Sequence, residues 1–246
     1  MKLLVCVSKT PETTAKISFS GDNTQFNEAG VNFIMNPYDE WYALVRALEL
    51  KEQNGGEVTT ITVGTAADDS IIRKALAIGA DNAVRVNMES TDAYSTAFQI
   101  ADYAKSNGFD IVFTGKETIN YNGSQMGGMI AEVMDLPYVA IASKLEINGT
   151  TATAHREIVG GSEIVEVNIP FVVSAAKGMA EQRIPNMRGI MAARSKPLTV
   201  VEPVACDALT SFVSYSLPDA KSECKYIDAD NMDELVSLLH NEAKVI

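Results

Sequence analysis

The chain has 246 residues, is 46% hydrophobic and carries a formal net charge of −12 at pH 7, a composition typical of folded globular proteins and not of disordered ones. Nucleic-acid binding and attachment to anionic lipid both need a basic surface, so the acidic balance argues against either partner. The apolar start, residues 3–7, is too short for a signal peptide, and no stretch approaches the roughly 20 apolar residues of a membrane helix. We therefore expect a cytoplasmic protein without membrane insertion.

Strands and helices alternate through the first part of the chain. Apolar runs predict strands at residues 3–7, 58–63, 83–86, 111–113 and 139–141. Apolar stripes and capping residues predict helices at residues 37–54, 70–78, 91–107 and 125–134, with Asn36 and Thr91 as N-caps. This alternation is typical of βαβ units, so we predict an α/β fold with a doubly wound parallel sheet.

The pattern changes after residue 141. Asn148 and Gly149 lie between two short strand-like runs, which is a strong hairpin signal. Residues 163–169 alternate and residues 170–174 form another apolar run. We therefore predict an antiparallel hairpin extension of the parallel sheet.

The last part of the chain has little periodicity. Residues 177–203 are expected to be loop-rich, with a short helix near residues 189–195. An extended C-terminal arm follows and ends in an amphipathic helix at residues 232–243, whose apolar face either packs on its own domain or contacts a partner. We accordingly predict a nucleotide-binding domain, residues 1–203, and an arm, residues 204–246.

A ligand site is expected where the parallel strands end, because open α/β sheets bind ligands at the carboxyl ends of their strands. The turn at residues 123–128 (GSQMGG) opens a predicted helix, and free amides at a helix start suit a phosphate. Ser124 could add a hydroxyl and Gln125 an amide. A plain glycine-rich turn is the alternative interpretation.

A basic segment stands out on this acidic chain. No acid lies between Gln182 and Val201, whereas four cations do: Arg183, Arg188, Arg194 and Lys196. The segment is either a solvated helix face, or a docking surface or clamp on an anionic cofactor. Met187, Ile190 and Met191 favour docking, because adaptable apolar side chains suit contact with several partners.

Metal and hydrolytic sites are not predicted. The cysteines and histidines are too scattered for a metal site or a disulfide framework: Cys6, Cys206, Cys224, His155 and His240. We also find no nucleophile, base and orienting group together, so no catalytic residue is predicted.

The sequence resembles the electron-transfer flavoprotein beta subunit over nearly its whole length. The matching segments are residues 3–9 (LLVCVSK), 35–40 (MNPYDE), 72–81 (IRKALAIGAD), 115–119 (GKETI) with Gln125 and Gly127, 156–163 (REIVGGSE) and 170–173 (PFVV). The loop at residues 120–126 reads NYNGSQM, whereas the mitochondrial type is acidic and then reads asparagine-glutamine-threonine. Several separate matches in the right order make the resemblance specific.

The resemblance implies a carrier subunit of a heterodimer, not an enzyme by itself. The alpha subunit would hold most of the FAD site, and this chain would hold AMP against Cys6, Asn36, Val63, Gly123, Ser124, Gln125 and Met126. Acyl-CoA dehydrogenases of fatty acid oxidation, or other flavin dehydrogenases, would dock on a recognition loop at about residues 177–197. The docking residues would be Met187, Arg183, Arg188, Ile190 and Met191.

Two alternatives remain open from the sequence. In electron-bifurcating members of the family, this subunit holds a second FAD, which accepts electrons from NADH. A stand-alone nucleotide-binding module of the universal-stress type is less favoured, because that class needs a glycine three residues after Gly115, where this chain has Thr118.

Overall fold

The computed structural model describes residues 1–90, 92–221 and 223–246. The strands are β1 (Lys2–Cys6), β2 (Lys9–Pro11), β3 (Phe19–Ser20), β4 (Gln25–Phe26), β5 (Phe33–Met35), β6 (Glu57–Gly64), β7 (Asn82–Asn87), β8 (Ile111–Gly115), β9 (Tyr138–Asn148), β10 (Thr151–Ile158), β11 (Gly161–Asn168), β12 (Phe171–Ala175) and β13 (Leu198–Val201). The α-helices are α1 (Asp39–Asn54), α2 (Asp69–Ile78), α3 (Ala93–Asn107), α4 (Met126–Met134), α5 (Met187–Ala193) and α6 (Met232–Ser237). A 3₁₀ turn (Ala66–Asp68) precedes α2, and a π-helical turn (Leu238–Ala243) follows α6.

Nine strands form one sheet in the order β11-β10-β9-β12-β8-β1-β6-β7-β13. The seven strands from β9 to β13 in this order are parallel to their neighbours, and β10 and β11 add the antiparallel extension. From β1 the chain proceeds to β6 and β7 on one side, then returns to β8 on the other side of β1. The order therefore reverses between β1 and β8, which is where open α/β sheets bind ligands.

Helices cover both faces of the sheet, and β1 shows how the sequence specifies this. Leu3 and Val5 pack in the core beneath α1 and α2. Leu4 and Cys6 pack in the opposite core, beneath α3 and α4. Successive side chains of a strand point to opposite faces, so a strand buried on both faces is apolar throughout. The predicted doubly wound sheet is confirmed.

The start of α1 differs from the prediction. Tyr38 is the N-cap and Asn36 is not, because the Asn36 side chain donates hydrogen bonds to Ser8 and Asn120 instead. The predicted cap Thr91 lies outside the described residues. The N-cap of α3 is Asp92, whose carboxylate accepts a hydrogen bond from the Ser95 amide at 2.8 Å.

The predicted hairpin is confirmed, whereas one strand was missed. Gly149 occupies the left-handed region, at a φ of 62°, in the turn that joins β9 to β10. The segment expected to be loop-rich contains β13, which pairs in parallel with β7. The predicted short helix is α5, which starts two residues earlier than expected behind the N-cap Asn186.

The chain divides into two compact units. The larger unit comprises residues 1–16 and 27–213 and contains the nine-stranded sheet.

The last segment of the larger unit, residues 204–213, is named the strap. Both polar atoms of the Gln99 side chain bond the Val204 backbone at 2.8 Å. The Asp92 carboxylate accepts hydrogen bonds from the amides of Leu209 (2.8 Å) and Thr210 (3.2 Å).

The smaller unit comprises residues 17–26 and 214–246. The hairpin β3–β4 contributes Phe19, whose ring stacks on Tyr215 with a centroid distance of 5.0 Å. The predicted final helix corresponds to α6 and its π-helical turn, in which no residue is buried. Across the described parts of both units, no helix is both long enough and apolar enough to cross a bilayer.

Candidate functional site

The predicted cofactor residues meet at one edge of the sheet. Strand β1 pairs in parallel with β6 and with β8, in registers that place Cys6 opposite Ile61 and Val5 opposite Phe113. The carboxyl ends of all three strands therefore lie side by side at the point where strand order reverses. Val63 lies near the end of β6, and the loop from β8 to α4, residues 116–125, starts at the same edge.

Apolar side chains form one side of this edge. Cys6 belongs to the core cluster beneath α3 and α4, and Val63 and Met126 pack against that cluster while remaining partly accessible. Burial, and secondarily the charge of Glu40, raise the pKa of the Cys6 thiol. The thiol therefore stays protonated and serves as an apolar contact, not as a nucleophile.

The loop of residues 116–125 forms the polar side. Ser124 has a left-handed backbone, at a φ of 51°, and its hydroxyl donates a hydrogen bond to Glu117 at 3.3 Å. Gln125 is the N-cap of α4, and the first amides of a helix lack partners within the helix. A side chain at Gly127 would overlap the Tyr138 ring, so the start of α4 requires a glycine there.

Asn36 connects this loop to the end of β1. It is fully buried, and its side-chain nitrogen donates hydrogen bonds to Ser8 Oγ and Asn120 Oδ1, both at 3.2 Å. Its side-chain oxygen accepts from the Ile119 amide at 3.2 Å. The predicted site residue Asn36 thus contacts two residues of the loop that carries Gly123, Ser124 and Gln125.

Sequence reasoning missed the link between Ser8 and Glu40 at this site. Both Glu40 carboxylate oxygens accept hydrogen bonds from Ser8, one from its amide and one from its hydroxyl, each at 2.8 Å. A signal was available, because Glu40 precedes Leu44 and Ala47 by four and seven positions on α1 and so lies on its buried stripe.

A cleft of about 310 Å³ lies beside the loop. Its lining residues are Pro37, Tyr38, Asp39, Tyr42, Lys116, Glu117, Ile119, Asn122 and Lys177. Lys116 pairs with Glu117 at 2.9 Å, which lowers the pKa of the Glu117 carboxyl and raises that of the Lys116 ammonium. Burial raises the pKa of Asp39, although Lys116 opposes this. The charges in this cleft therefore largely compensate one another.

The predicted docking residues lie on and beside α5. Met187 is 73% exposed and Met191 is 68% exposed, and Ile190 is also exposed. Ile184, which precedes α5 and was not singled out from the sequence, is 84% exposed. A side chain at Gly189 would overlap the carbonyl of Ala77 in α2. Close packing on α2 therefore leaves the apolar side chains of α5 facing outward.

Of the four cations in the basic segment, Arg183 and Lys196 are held by bonds to other parts of the protein, whereas the other two are exposed. Arg183 forms a two-fold ion pair with Glu52, at 2.6 and 3.1 Å, and its carbonyl accepts a hydrogen bond from the Trp41 indole. Arg188 lies in α5 and Arg194 is its C-cap, and both residues are exposed.

Lys196 holds the segment in place. Its ammonium donates hydrogen bonds to the carbonyls of Leu76 (2.9 Å) and Ala80 (2.6 Å), at the end of α2, where a cation suits the helix dipole. Arg73 of α2 donates in return to the carbonyls of Ala193 and Lys196. Part of the basic segment is therefore structural.

The model of the electron transfer flavoprotein domain family matches residues 23–205. The chain is 36% identical, over the full length of both proteins, to the electron transfer flavoprotein subunit beta of Bacillus subtilis (strain 168). It is 30% identical to the caffeyl-CoA reductase-Etf complex subunit CarD of Acetobacterium woodii, covering 99% of this chain and 98% of that protein. It is also 30% identical to the acryloyl-CoA reductase electron transfer subunit gamma of Anaerotignum propionicum, covering 82% of this chain and 78% of that protein.

Proposed function

The chain belongs to the electron transfer flavoprotein beta subunit family, and on that premise we propose that it is the AMP-holding, partner-docking subunit of a heterodimeric electron carrier. FAD, held mainly by the alpha subunit, supplies the redox chemistry of such a complex. This chain contributes binding surfaces and electrostatics, which is the usual share of the protein in cofactor-dependent chemistry.

The convergence of the predicted nucleotide residues at the β1–β8 reversal point carries the proposal. Cys6, Val63 and Met126 offer an apolar surface that suits the adenine ring. Ser124 and the first amides of α4 offer donors that suit the phosphate. Glu117 opposes an anion there, but its pairing with Lys116 offsets that charge. The residues present therefore fit a small adenine nucleotide.

Docking is proposed for the surface around α5. Its exposed residues Ile184, Met187 and Met191 would be covered by a flavin dehydrogenase, and Arg188 and Arg194 would meet acids on that partner. The smaller unit would contact the alpha subunit, because its arm exposes several large apolar side chains: Leu217, Tyr226, Met232, Val236, Val245 and Ile246. In a heterodimer, the alpha subunit would bury these side chains.

A second candidate is a subunit that holds FAD in place of AMP. Two relatives are named as parts of an acryloyl-CoA reductase and a caffeyl-CoA reductase complex, so similar subunits also occur inside enzyme complexes. FAD contains the same adenosine and phosphate groups, so the same edge could accept it. The flavin part would need further space beside the loop of residues 116–125.

Nucleotide analysis of the heterodimer tests the proposal. Acid extraction followed by chromatography should give AMP and FAD in equal amounts. Val63→Phe, which fills the apolar surface, should lose AMP while it retains FAD. Val200→Phe is the matched control on the exposed strand β13 and should retain both. Two FAD and no AMP would favour the second candidate, and one FAD with no AMP would overturn nucleotide binding by this chain.

A further inference from the structure

Glu40 is a buried acid whose hydrogen-bond partner is Ser8. Glu40 is only 5% exposed. Burial raises the pKa of its carboxyl to about 7, although the hydrogen bonds from Ser8 oppose that rise. One other titratable group, Asp39, acts on Glu40, and a second, Cys6, responds to the charge of Glu40. Asp39, on the same helix, raises its pKa further, and Cys6 of β1 presents a thiol that stays protonated. From β8, Gly115 faces the Glu40 backbone without a side chain.

Ionisation of Glu40 fixes the direction of a hydrogen-bond chain. An ionised carboxylate can only accept, so the Ser8 hydroxyl must donate to it. The Ser8 oxygen is then left to accept from the Asn36 side-chain nitrogen. The Asn36 oxygen must consequently face the Ile119 amide, as it does.

We propose that Glu40 is a positioning residue of the nucleotide site, acting through Ser8 and Asn36 to hold the loop of residues 116–125. The proposal rests on the proposed function, since it assumes that this loop contacts a nucleotide phosphate. Glu40 itself touches no ligand in this scheme. Its carboxylate specifies the orientation of the Asn36 amide, which in turn binds the backbone of Ile119 and the side chain of Asn120.

Protonation of Glu40 disrupts the hydrogen-bond chain from Glu40 through Ser8 to Asn36. A carboxylic acid donates through its hydroxyl, so Glu40 would then donate to Ser8 Oγ, which already accepts from Asn36. The Ser8 hydroxyl proton would lose its acceptor, and a buried donor without a partner is costly. Loop order, and with it nucleotide affinity, should therefore fall as the pH decreases through the neutral range.

Glu40→Gln reproduces the protonated state at every pH, because its amide nitrogen donates where the carboxylate accepted. AMP binding to the nucleotide-stripped heterodimer should be measured by calorimetry between pH 6 and pH 8. At pH 8 the variant should bind about tenfold more weakly than the wild type, the effect of losing one charge-assisted hydrogen bond. At pH 6 the two affinities should converge. Titration of the AMP phosphate, near pH 6, affects both proteins equally and cancels in the ratio.

Glu49→Gln is the matched control, because Glu49 lies on the same helix and pairs with Arg46 away from the loop. Its affinity ratio to the wild type should stay near one throughout. Ser8→Ala removes the middle member of the hydrogen-bond chain. This variant should bind AMP as weakly as Glu40→Gln does, and its affinity should not depend on the titration of Glu40. An affinity ratio for Glu40→Gln that does not change with pH would overturn the proposal.

Amide hydrogen exchange separates this proposal from the proposed function. Exchange at Ile119 should accelerate in Glu40→Gln and in Ser8→Ala at pH 8, with or without AMP. Unchanged exchange would overturn the positioning role even if AMP binds. If exchange accelerates in both variants but the wild-type heterodimer binds no AMP, the positioning role of Glu40 stands and only nucleotide binding is overturned.

Discussion

The indole nitrogen of Trp41 donates a hydrogen bond to the carbonyl oxygen of Arg183 at 3.2 Å. Trp41 lies in the first turn of α1, directly after Glu40, and Arg183 directly precedes the exposed Ile184. Farther along α1, Glu52 pairs with the Arg183 guanidinium. One helix therefore borders the proposed nucleotide edge and also supports the proposed docking segment.

Met187→Ala should weaken docking without affecting the fold. An exposed anchor that enters a partner's pocket contributes about 2 kcal/mol, or roughly a thirtyfold loss of affinity on truncation. The apparent Michaelis constant of the heterodimer for a partner dehydrogenase should rise accordingly. Flavin spectrum, nucleotide content and melting temperature should stay nearly unchanged.

Met179→Ala is the matched control, because Met179 lies in the same loop-rich segment but is only 4% exposed. Truncating this buried methionine should cost about 2–5 kcal/mol of unfolding free energy and lower the melting temperature. The docking interpretation fails if Met187→Ala instead lowers the melting temperature while partner kinetics stay intact.

The fold could be predicted because its signals are local. The apolar run of β1 and the Asn148–Gly149 turn each depend on a few consecutive residues, and both elements occur as expected. Strand β13 gave no such signal, since it is short and partly exposed. It becomes a strand only through pairing with β7, more than 100 residues earlier.

The contacts that were missed join residues far apart in the sequence. Asn36 has the residue type of an N-cap, but its side chain bonds residues 28 and 84 positions away. Lys196 looks like a surface cation, but it bonds carbonyls 116 and 120 positions away. Local pattern cannot indicate such contacts. The site residues could therefore be predicted, from the turn before α4 and from family resemblance, whereas the connections between them could not.

Asp92→Ala should destabilise the larger unit and release the strap. The carboxylate of Asp92 caps α3 and also accepts from the amides of Leu209 and Thr210. Loss of the cap and of these charge-assisted bonds should cost about 2–4 kcal/mol. Chemical denaturation of the heterodimer measures this cost, and amide exchange at Leu209 and Thr210 should accelerate.

The pH dependence of this contribution distinguishes it from that of Glu40. Burial alone would raise the pKa of Asp92, but hydrogen bonds from Ser95, Leu209 and Thr210 lower it to about 2. Its stabilisation is therefore lost only as the pH falls from its ordinary pKa through about 2. The difference between Asp92→Ala and the wild type should be constant from pH 5 to pH 8, and a difference that vanishes within that range would contradict this account.

Truncation after Val213 should abolish pairing with the alpha subunit. The cut removes the exposed apolar side chains of the arm, and it leaves the strap with its hydrogen bonds to Gln99 and Asp92. The remaining chain should thus retain the fold of the larger unit, as measured by circular dichroism, but fail to co-purify. The control Asp219→Ala changes an exposed polar residue of the removed segment and should pair normally. Normal pairing of the shorter chain would show that the arm is dispensable.

Glu40→Gln should stabilise the nucleotide-free heterodimer relative to the wild type at alkaline pH. Because the folded pKa of Glu40 is raised to about 7, the folded state holds a proton that the unfolded state has already released. Wild-type stability therefore falls as the pH rises from the ordinary glutamate pKa through about 7, by an amount on the order of 3 kcal/mol. Glutamine does not ionise, so the variant lacks this loss of stability.

The melting-temperature difference between wild type and Glu40→Gln should grow from pH 5 to pH 7.5 and then level off. A difference that stays constant with pH would show that Glu40 keeps an ordinary pKa in the folded protein. A stabilised variant with weakened AMP binding would show that this buried charge is kept for function at a cost in stability.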